Sequence, residues 1–541
     1  MNRMTVILYI LSASIFAWAV YLLSIRQLHM AQLEGYKPTQ YLRWITNNIC
    51  SLFLKELIVL AVAGLFLALY YVTKNEVLLG YSAFIVWAFV NVYMIYKNMS
   101  VKRKAKKPLR FTPRAIRLFI TNLLLLLLWT GAACFLAKNI IFFILYLSLI
   151  KFLHPLNMAL STFLIYPFEM LVHYRYYRIA QLKIAGMKNL KVIGITGSYG
   201  KTSTKYFLKT ILSEKYNTLM TPESYNTPMG ITRVIREQLK DNHEVFVCEM
   251  GARNVGDIKT LCKLVNPTVG ILTSIGPQHL ETFKSLANIV KTKYELIQAL
   301  PYYGTAIFNG DNSYCLNLAR KTGIETLIYS IKGGDSDIFL TAEGIKISKE
   351  GLRFKVKSQD GIEFECQTRL LGKHNVSNLL AAICAALKLG LTPDEIKRGI
   401  SKIEPVPHRL EILKTNNGVT VIDDAFNSNP VGSREALEAI KEFTDGSRIV
   451  VTPGMVELGS IEYEENKKFG KVMSKCCDLA ILVGIKRSKP IIEGLKMGNF
   501  PEDKIIVVPD LNEAQKKIGQ IVKVNDVVLF ENDLPDNYNE K

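Results

Sequence analysis

The fold of this chain is decided by residues 190–212, LKVIGITGSYGKTSTKYFLKTIL. The apolar run at 190–193 predicts a strand, and residues 205–212 predict a helix. A glycine-rich turn between a strand and a helix presents backbone N–H groups and a helix N-terminus to a phosphate chain. Lys201 can then reach the terminal phosphates of a nucleotide, and the Thr202 hydroxyl can hold Mg²⁺. The stretch therefore predicts a nucleoside triphosphate site.

This turn departs from a standard Walker A motif. Ile195 stands where the motif has its first glycine, and Gly194, Thr196 and Gly197 occupy that space instead. The alternative is a tight turn that carries a lysine by chance, but the strand-to-helix context favours phosphate binding. The predicted nucleotide-binding residues of the loop are Gly194, Thr196, Gly197, Ser198, Gly200, Lys201, Thr202 and Ser203.

Charge and composition separate the chain into two parts. Its 541 residues leave room for about three or four domains, and a hydrophobic fraction of 49% indicates a membrane portion joined to globular ones. The formal net charge is +20, yet residues 1–190 alone hold 21 Lys and Arg against 4 Glu and no Asp. This excess flanks the apolar segments, where anionic lipid attracts it. We therefore expect a membrane surface as partner, and no nucleic acid.

The nine cysteines are scattered along the chain without a Cys-x-x-Cys pair. Cys476 and Cys477 are adjacent, which suits neither a routine disulfide nor a tetrahedral metal site. The pattern indicates a reducing compartment, as an ATP-using domain requires.

Apolar runs long enough to cross ~30 Å of hydrocarbon occur five times before residue 170. They lie near residues 4–25, 52–72, 77–96, 118–137 and 140–166. The first lacks a convincing cleavage site and precedes further spans, so it predicts an anchor rather than a signal peptide. The loop at 97–117 holds nine Lys and Arg, which places it in the cytoplasm. The sequence thus predicts a multi-pass protein of the cell membrane, with its N-terminus outside and residue 175 onward in the cytoplasm.

The fifth run is interrupted by Lys151, His154 and Pro155. It is either a kinked helix or a span followed by an interfacial helix. A buried Lys151 would point to function, but a helix break that leaves this lysine at the interface is favoured. The region as a whole is either a plain anchor or a domain that binds lipid or a partner, and the sequence leaves both open.

From residue 190 onward, strand-like runs alternate with helical patterns, for example at 245–248, 270–273, 419–422, 449–451 and 479–483. This alternation predicts α/β domains with mostly parallel sheets, which place ligands at the carboxyl ends of strands. Glu249 follows one strand directly, and His279 and Lys293 come after the next. Each of these residues is weak evidence for a site when taken alone, because a Glu or Lys at such a place is more often solvated and a His is more often structural.

The order of these motifs along the chain is more specific than any one of them. The soluble part resembles the Mur ligase superfamily, and most closely its MurF type, over about residues 190–485. The matching segments are 194–204, 226–230, 249–253, 273–283, 292–295, 308–312, 372–375, 408–411 and 422–430. Nine motifs in one order make chance similarity negligible.

The resemblance implies an ADP-forming ligase of peptidoglycan synthesis that joins an amine to a carboxylate through an acyl phosphate. It assigns Lys201 to the phosphates, Thr202 and Glu249 to one Mg²⁺, and His279 with a carbamylated Lys293 to a second. It also assigns contacts on the adenine side of ATP to Asn309, Asp311, His374 and Asn375. It assigns contacts with the γ-phosphate and the ribose to Arg409 and Asp424. Because Arg409 and Asp424 belong to the last domain, the site is expected to be split and to close on ATP.

The apolar runs predict a membrane domain at 1–180 with about five spans. The resemblance implies a central P-loop domain at 181–405 with a mostly parallel sheet and a smaller Rossmann-like α/β domain at 406–541. The chain departs from the MurF pattern in two places. The membrane region stands where that type has a domain for a UDP-sugar, and the final Lys-Gly-Ser-Arg is replaced around 527–538. The carboxylate substrate is therefore hypothesised to be lipid-linked rather than a soluble UDP-sugar.

The expected partners are the lipid bilayer, a muramoyl-peptide or lipid-linked precursor, an amino acid or dipeptide amine, and membrane enzymes of wall synthesis. One competing function is a non-catalytic scaffold that binds ATP. The sequence argues against a scaffold, because a protein that has lost its catalytic activity usually loses at least one catalytic residue. This chain keeps all five: Lys201, Thr202, Glu249, His279 and Lys293. An ATP-driven transporter fits poorly, because only Lys151 offers charge deep within a predicted span.

Overall fold

The computed structural model describes residues 3–100, 108–223, 225–278, 280–334, 336–415, 417–426 and 428–534. The predicted site residue His279 and the motif residue Asn427 lie outside this part of the chain. Two compact units are present, Met1–Arg175 and Tyr176–Lys541. Each is described by itself.

The first unit is helical throughout its described residues. Its helices are α1 (Arg3–Leu33), α2 (Pro38–Asn47), α3 (Ile49–Thr73), α4 (Glu76–Ser100), α5 (Pro113–Leu136), α6 (Ile140–Phe152) and α7 (His154–Gly186), the last of which continues into the second unit. Among these described residues, five helices are long and apolar enough to cross a membrane, judged by length and composition. They are Arg3–Leu33, Ile49–Thr73, Glu76–Lys97, Pro113–Leu136 and His154–Gly186.

The expected fifth span at 140–166 is corrected by the structure. The run breaks at Leu153 into α6, of 13 residues, and α7, of 33 residues. Pro155 lies in the first turn of α7, where its missing N–H leaves no helical hydrogen bond unmade. By length and composition the fifth candidate is α7, and α6 is a shorter apolar helix that precedes it in the chain. Which parts of the broken run cross a membrane stays a prediction.

Lys151 is buried, with only 3% of its surface exposed. Its Nζ lies 2.9 Å from Glu56 Oε2 and donates to Asn91 Oδ1 at 2.8 Å. Lys151 is therefore enclosed by the protein, and its position relative to the membrane interface stays a prediction. The break two residues later is real, but a carboxylate almost a hundred positions earlier in the chain makes burial of the lysine tolerable.

The first unit has an apolar exterior and polar groups inside. Val72 is 81% exposed and Phe135 is 90% exposed, whereas Ser24, Asn122 and Asn157 are buried and joined by hydrogen bonds between their side chains. In hydrocarbon a polar group has to find its partner inside the protein. This distribution fits a bundle that faces lipid.

The second unit begins with a nine-stranded sheet in the order β2-β3-β1-β4-β5-β6-β7-β8-β9, counted over the described chain. Strands β2 to β7 pair in parallel, and β7, β8 and β9 pair antiparallel. The strands are β1 (Lys191–Thr196), β2 (Thr218–Met220), β3 (Val245–Glu249), β4 (Val269–Leu272), β5 (Thr305–Asn309), β6 (Glu325–Ser330), β7 (Leu340–Ser348), β8 (Gly351–Ser358) and β9 (Glu363–Thr368).

Helices cover both faces of this sheet, which is why its central strands are buried on both sides. One face packs against α8 (Lys201–Leu212), α14 (His374–Lys388) and α15 (Pro393–Ser401). The other packs against the end of α7 and the helices α9 (Pro228–Glu237), α10 (Asp257–Val265), α11 (Leu280–Phe283), α12 (Leu286–Gln298) and α13 (Ser313–Ala319).

A second sheet of six strands follows in the order β10-β11-β15-β12-β13-β14, again over the described residues. Its strands are β10 (Glu411–Lys414), β11 (Thr420–Asp424), β12 (Arg448–Thr452), β13 (Leu479–Val483), β14 (Ile505–Val508) and β15 (Val527–Glu531). Only the β10–β11 pair is antiparallel. The associated helices are α16 (Gly432–Ile440), α17 (Glu462–Met473), α18 (Ser488–Met497) and α19 (Leu511–Ile521), with 3₁₀ turns at Gly459–Ile461 and Glu502–Lys504.

Helices α17 and α18 approach each other through glycine. A Cβ at Gly494 would lie 2.0 Å from the carbonyl oxygen of Lys467, and one at Gly470 would lie 2.2 Å from that of Ile491. Backbone atoms cannot move aside as a flexible side chain can. These two glycines therefore set the distance between the helices.

We expect Gly494→Ala to lower the free energy of unfolding by about 2–3 kcal/mol, because overpacking outweighs the better helix propensity of alanine. Gly519→Ala in α19 is the matched control, since no described atom lies within 4 Å of its Cβ position. It should be neutral or slightly stabilising. Chemical denaturation of the full chain, followed by amide exchange in α17 and α18, measures both. Equal effects of the two substitutions would contradict the packing argument.

Candidate active site

The loop between β1 and α8 requires glycine at two positions. Gly197 and Gly200 have φ angles of 151° and 81°. A Cβ at Gly197 would lie 2.1 Å from Thr273 Oγ1, and one at Gly200 would lie 2.3 Å from Asn378 Oδ1. The loop is thus held between the end of β4 and the start of α14, with its backbone at the carboxyl ends of the central strands.

Ser198 fastens the loop to the segment after β4. Its N–H donates to Ser274 O at 2.7 Å, and its hydroxyl donates to Gly276 O at 2.9 Å. Gly194, in β1, is needed for packing rather than for the turn, because a Cβ there would meet Leu296 of α12 at 2.7 Å. Thr196 is also occupied, since its hydroxyl donates to Met250 O at 3.0 Å. These contacts make the loop rigid before any ligand binds.

Lys201, at the first position of α8, folds over the loop. Its Nζ donates to Gly197 O at 2.6 Å and to Ser198 O at 3.1 Å. Burial lowers the pKa of Lys201 to about 8; the nearby Glu249 opposes this shift, and the charge of Arg409 adds to it. A bound phosphate would stabilise the charged form of this lysine, because it supplies the negative charge that the protein does not fully provide.

Glu249 ends β3 and pairs with Ile195 in the sheet register. Its Oε1 accepts from Thr202 Oγ1 at 3.3 Å and from Asn226 Nδ2 at 3.1 Å, and its Oε2 lies 3.0 Å from Lys205 Nζ. Burial would raise the pKa of Glu249, but Lys205, Lys201 and the hydrogen bond from Asn226 hold it below its ordinary value. The side chain is therefore a buried carboxylate in its charged form.

Lys293, on α12, is buried with 3% exposure. Burial lowers its pKa well below the ordinary value, and the charge of Lys201 lowers it further, whereas Glu249, Asp257 and Glu295 act in the opposite direction. Lys293 thus shares one electrostatic environment with Lys201 and Glu249. Its neighbour Glu295 has a structural part, because its carboxylate accepts from the N–H groups of Gly256 and Lys259 at the start of α10.

Asn309 ends β5 and is placed by hydrogen bonds beside the loop. Its Nδ2 donates to Thr273 O at 2.8 Å and its Oδ1 accepts from Asp311 N at 2.9 Å. The Asp311 carboxylate accepts from Ser330 Oγ and from the N–H groups of Ile331 and Lys332. Asp311 therefore shapes the turn after β6, and its contact with a nucleotide stays a prediction.

His374 and Asn375 open α14. Asn375 Nδ2 donates to Leu371 O at 2.8 Å and its Oδ1 accepts from Asn378 Nδ2 at 3.1 Å. His374 Nδ1 lies 3.7 Å from Glu435 Oε2 of α16. The start of α14 thus connects the loop, through Asn378, with the second sheet.

Arg409 and Asp424 extend the site from the second sheet. The Arg409 guanidinium lies 4.9 Å from the centre of the Phe426 ring. Burial lowers the pKa of Arg409, opposed by Asp424 and Glu249. Arg409 thus carries its charge to the glycine-rich loop, where it interacts with both Glu249 and Lys201. The described predicted residues Lys201, Glu249, Lys293 and Arg409 are therefore brought together.

Comparison with known proteins gives the family. The model of the Mur ligase middle domain matches residues 195–386, and that of the "Mur ligase, glutamate ligase domain" matches residues 408–531. The UDP-N-acetylmuramoyl-tripeptide–D-alanyl-D-alanine ligase of Bacillus subtilis is 30% identical over 355 residues, which are 65% of this chain and 75% of that enzyme. Its Escherichia coli counterpart is 31% identical over 323 residues, 59% and 70% of the two chains. The chain belongs to the Mur ligase family.

Solved structures agree with this assignment. MurF from Acinetobacter baumannii superposes with a TM-score of 0.60 at 25% identity, covering 66% of this chain and 77% of that one. MurF ligase from Thermotoga maritima in complex with ADP gives a TM-score of 0.59 at 26% identity, covering 66% and 80%. The inferred resemblance and the α/β fold class are confirmed, and this Mur ligase is an ATP-dependent peptide ligase. The finer bounds 1–180, 181–405 and 406–541 stay predictions.

In this Mur ligase the buried Glu531 lies in the segment where the family's Lys-Gly-Ser-Arg is expected, and it forms an acid pair with the half-buried Asp424. Glu531 ends β15 opposite Asp424 of β11 and accepts from the hydroxyls of Thr452, at 2.8 Å, and Ser428. Burial raises the pKa of Glu531 to about 7. Burial and the charge of Glu531 raise that of Asp424 to about 8. At neutral pH the pair can therefore hold a proton.

Sequence reasoning missed four residues of the site. Asn226 was quoted within a motif but given no role, and Lys205, Asn378 and Glu531 were not considered. Lys205 had a signal, because a lysine four positions after Lys201 lies on the same helix face among buried residues. Asn378 and Glu531 reach the site only through tertiary packing, and no local pattern indicates them.

The lowered pKa of Lys201 predicts a pH dependence of nucleotide binding. Below pH 8 the lysine is charged, and above it the ammonium is lost, so affinity for ADP should fall as the pH rises from 7 to 9. Isothermal titration of the full chain measures this. Lys201→Arg keeps its charge over the whole range and should flatten the profile. Parallel profiles for the two proteins would contradict the assignment.

Removing Lys205 should raise the pKa of Glu249, because burial then acts with less opposition. We expect Lys205→Met to lower kcat/KM about tenfold to hundredfold at neutral pH, with partial recovery at higher pH where the carboxylate ionises. ADP release over a pH series is the measurement. Lys209→Met on the same helix is the matched control and should behave as wild type. An equal loss of kcat/KM at every pH, with no shift in the acidic limb of the pH profile, would reject this positioning role.

Proposed function

We propose that this protein is a membrane-anchored MurF-type ligase that joins D-alanyl-D-alanine, or a related amine, to the carboxylate of a muramoyl-peptide. The observation that carries this proposal is the glycine-rich loop with Lys201 folded over it and with Thr202 Oγ1 3.3 Å from the buried carboxylate of Glu249. The charge of Arg409 also acts on this carboxylate. A site with the cations Lys201 and Arg409 near a buried carboxylate suits a triphosphate with its metal. It does not suit an ordinary hydrophobic ligand.

The chemistry runs in two steps. A carboxylate oxygen of the acceptor attacks the γ-phosphorus of ATP, forming an acyl phosphate and ADP. The amine then attacks the acyl carbon, the amide bond forms, and phosphate leaves. Phosphoryl transfer needs charge neutralised and groups aligned more than covalent help from the protein. Lys201 and Arg409 supply the cations on either side of the transferred group.

Thr202 and Glu249 fit a magnesium site. Their side-chain oxygens, Oγ1 and Oε1, are 3.3 Å apart, and Mg²⁺ prefers oxygen ligands from a hydroxyl, a carboxylate and phosphates. When bound, the ion would neutralise the developing negative charge on the phosphates. Asn226 supports the site by holding Glu249 Oε1 from the other side.

Lys293 fits the part of a carbamylated lysine. A carbamate forms when a neutral amine attacks CO₂, making an N–C bond and releasing a proton. Burial lowers the pKa of Lys293, which favours the neutral amine that this reaction needs. The product is an anion, which suits a place beside Lys201, and it would hold a second Mg²⁺ together with His279.

The acceptor is proposed to be lipid-linked. The five candidate spans would keep the ligase domains at the cytoplasmic surface of the membrane, with the N-terminus outside. Glu531, which pairs with Asp424 in the sheet register, stands in the segment where the family has a cationic motif. This part of the site is therefore proposed to differ in charge from that of enzymes using a UDP-linked peptide. A non-catalytic scaffold that binds ATP is the second candidate, but it gives no reason to keep a buried lysine such as Lys293 beside the phosphate-binding residues.

Purified full-length protein with ATP and Mg²⁺ tests the activity. It is supplied with D-alanyl-D-alanine and either a UDP-linked or a lipid-linked muramoyl-tripeptide, and product mass and ADP release are followed. We expect product from the lipid-linked acceptor, and a loss of about 10²–10³ in rate for Lys201→Ala. Product from the UDP-linked acceptor alone would reject the lipid-linked substrate. ADP binding without product from either acceptor would favour the scaffold.

A further inference from the structure

The first unit contains a small cavity between the ends of five helices. Its volume is about 50 Å³, which is room for a few water molecules or one small group. The lining residues come from α1, α3, α4, α6 and α7, and they include Arg26, Gln27, Lys55, Glu56, Lys97, Lys151 and His154. The cavity therefore lies at the end of the bundle that carries the loops predicted to be cytoplasmic.

Buried polar residues form the floor of this cavity, and exposed cations form its rim. Glu56, Lys151 and His154 are buried, whereas Arg26, Lys55 and Lys97 are exposed. Four cationic side chains thus line the cavity with one carboxylate. Because Lys151 and Glu56 already form an ion pair at 2.9 Å, the remaining excess of charge is positive. Such an arrangement attracts an anion.

His154 supplies an independent indication of a ligand. It is fully buried, its Nε2 lies 2.9 Å from Ser24 Oγ, and among the described residues its Nδ1 has no hydrogen-bond partner. The Ser24 oxygen also accepts from Asn122 Nδ2 at 3.0 Å. A buried ring nitrogen without a partner is costly, and in the tautomer that carries its proton on Nδ1 a phosphate oxygen would satisfy it.

We propose that this cavity binds a phosphate group carried by a lipid. The basic rim lies where lipid phosphates lie, at the end of the membrane-spanning helices, and the floor offers donors from Lys151 and His154. The apolar outer surfaces of the helices would hold the lipid chain. A free phosphate has the same head chemistry but gains nothing from those surfaces. That the lipid is the ligase acceptor rests on the proposed function; the binding itself does not.

Binding is measured on the full chain in nanodiscs or detergent with three probes: a polyprenyl phosphate, the polyprenol of equal length, and inorganic phosphate. We expect the polyprenyl phosphate to bind at least tenfold more tightly than either of the others. Lys55→Gln with Lys97→Gln, both on the exposed rim, should weaken it about tenfold or more, since each cation near the membrane surface adds to the attraction. Lys74→Gln, at the opposite end of α3, is the matched control and should have no effect.

Two further measurements keep the outcome decisive. His154→Gln retains a polar side chain and should also weaken the polyprenyl phosphate but not the polyprenol. ADP affinity should be unchanged in every variant, which separates a lost cavity from a misfolded chain. Equal affinity for inorganic phosphate and the lipid, or wild-type affinity in the rim variant, would overturn the proposal. Specific lipid binding together with turnover of the UDP-linked acceptor alone would support this cavity while rejecting the lipid-linked substrate.

Discussion

The buried carboxylate of Glu249 is the interaction on which the ligase half depends. It lies at the end of a central strand, and Lys205 at 3.0 Å keeps it ionised despite its burial. Lys201, Lys293 and Arg409 interact with the same carboxylate. This one negative charge faces the cations Lys201, Lys205 and Arg409, so the cluster is not balanced. The phosphates of a bound nucleotide would supply the remaining negative charge. Ligand binding would therefore balance the cations that folding alone leaves in excess.

The sequence was sufficient to predict a part of the site where its functional residues are contiguous in the chain. The glycine-rich loop is contiguous, so its place between β1 and α8 followed from an apolar run, two glycines and a helical pattern. It was insufficient where partners are far apart in the chain. Glu531 reaches Asp424 because β15 inserts beside β11 in the second sheet, and Asn378 meets Gly200 because α14 packs on α8. No window of local sequence contains either pair.

Lys151 illustrates the same limit in the first unit. Seen in sequence, a lysine followed closely by histidine and proline suggests a helix end at the membrane surface. Glu56 lay near the end of its own predicted span and offered no sign that it faces α6. The structure pairs them at 2.9 Å. Burial of the lysine is therefore set by helix packing, which hydropathy does not report.

The acid pair of Asp424 and Glu531 carries a further consequence for the ligase site. Burial raises the pKa of Glu531 to about 7, and burial together with the charge of Glu531 raises the pKa of Asp424 to about 8. Arg409 opposes this shift at Asp424, and Arg409 also interacts with Glu249. The charge of Arg409 thus acts both on Asp424 of the acid pair and on Glu249 beside the glycine-rich loop, so the two parts of the site share one electrostatic environment.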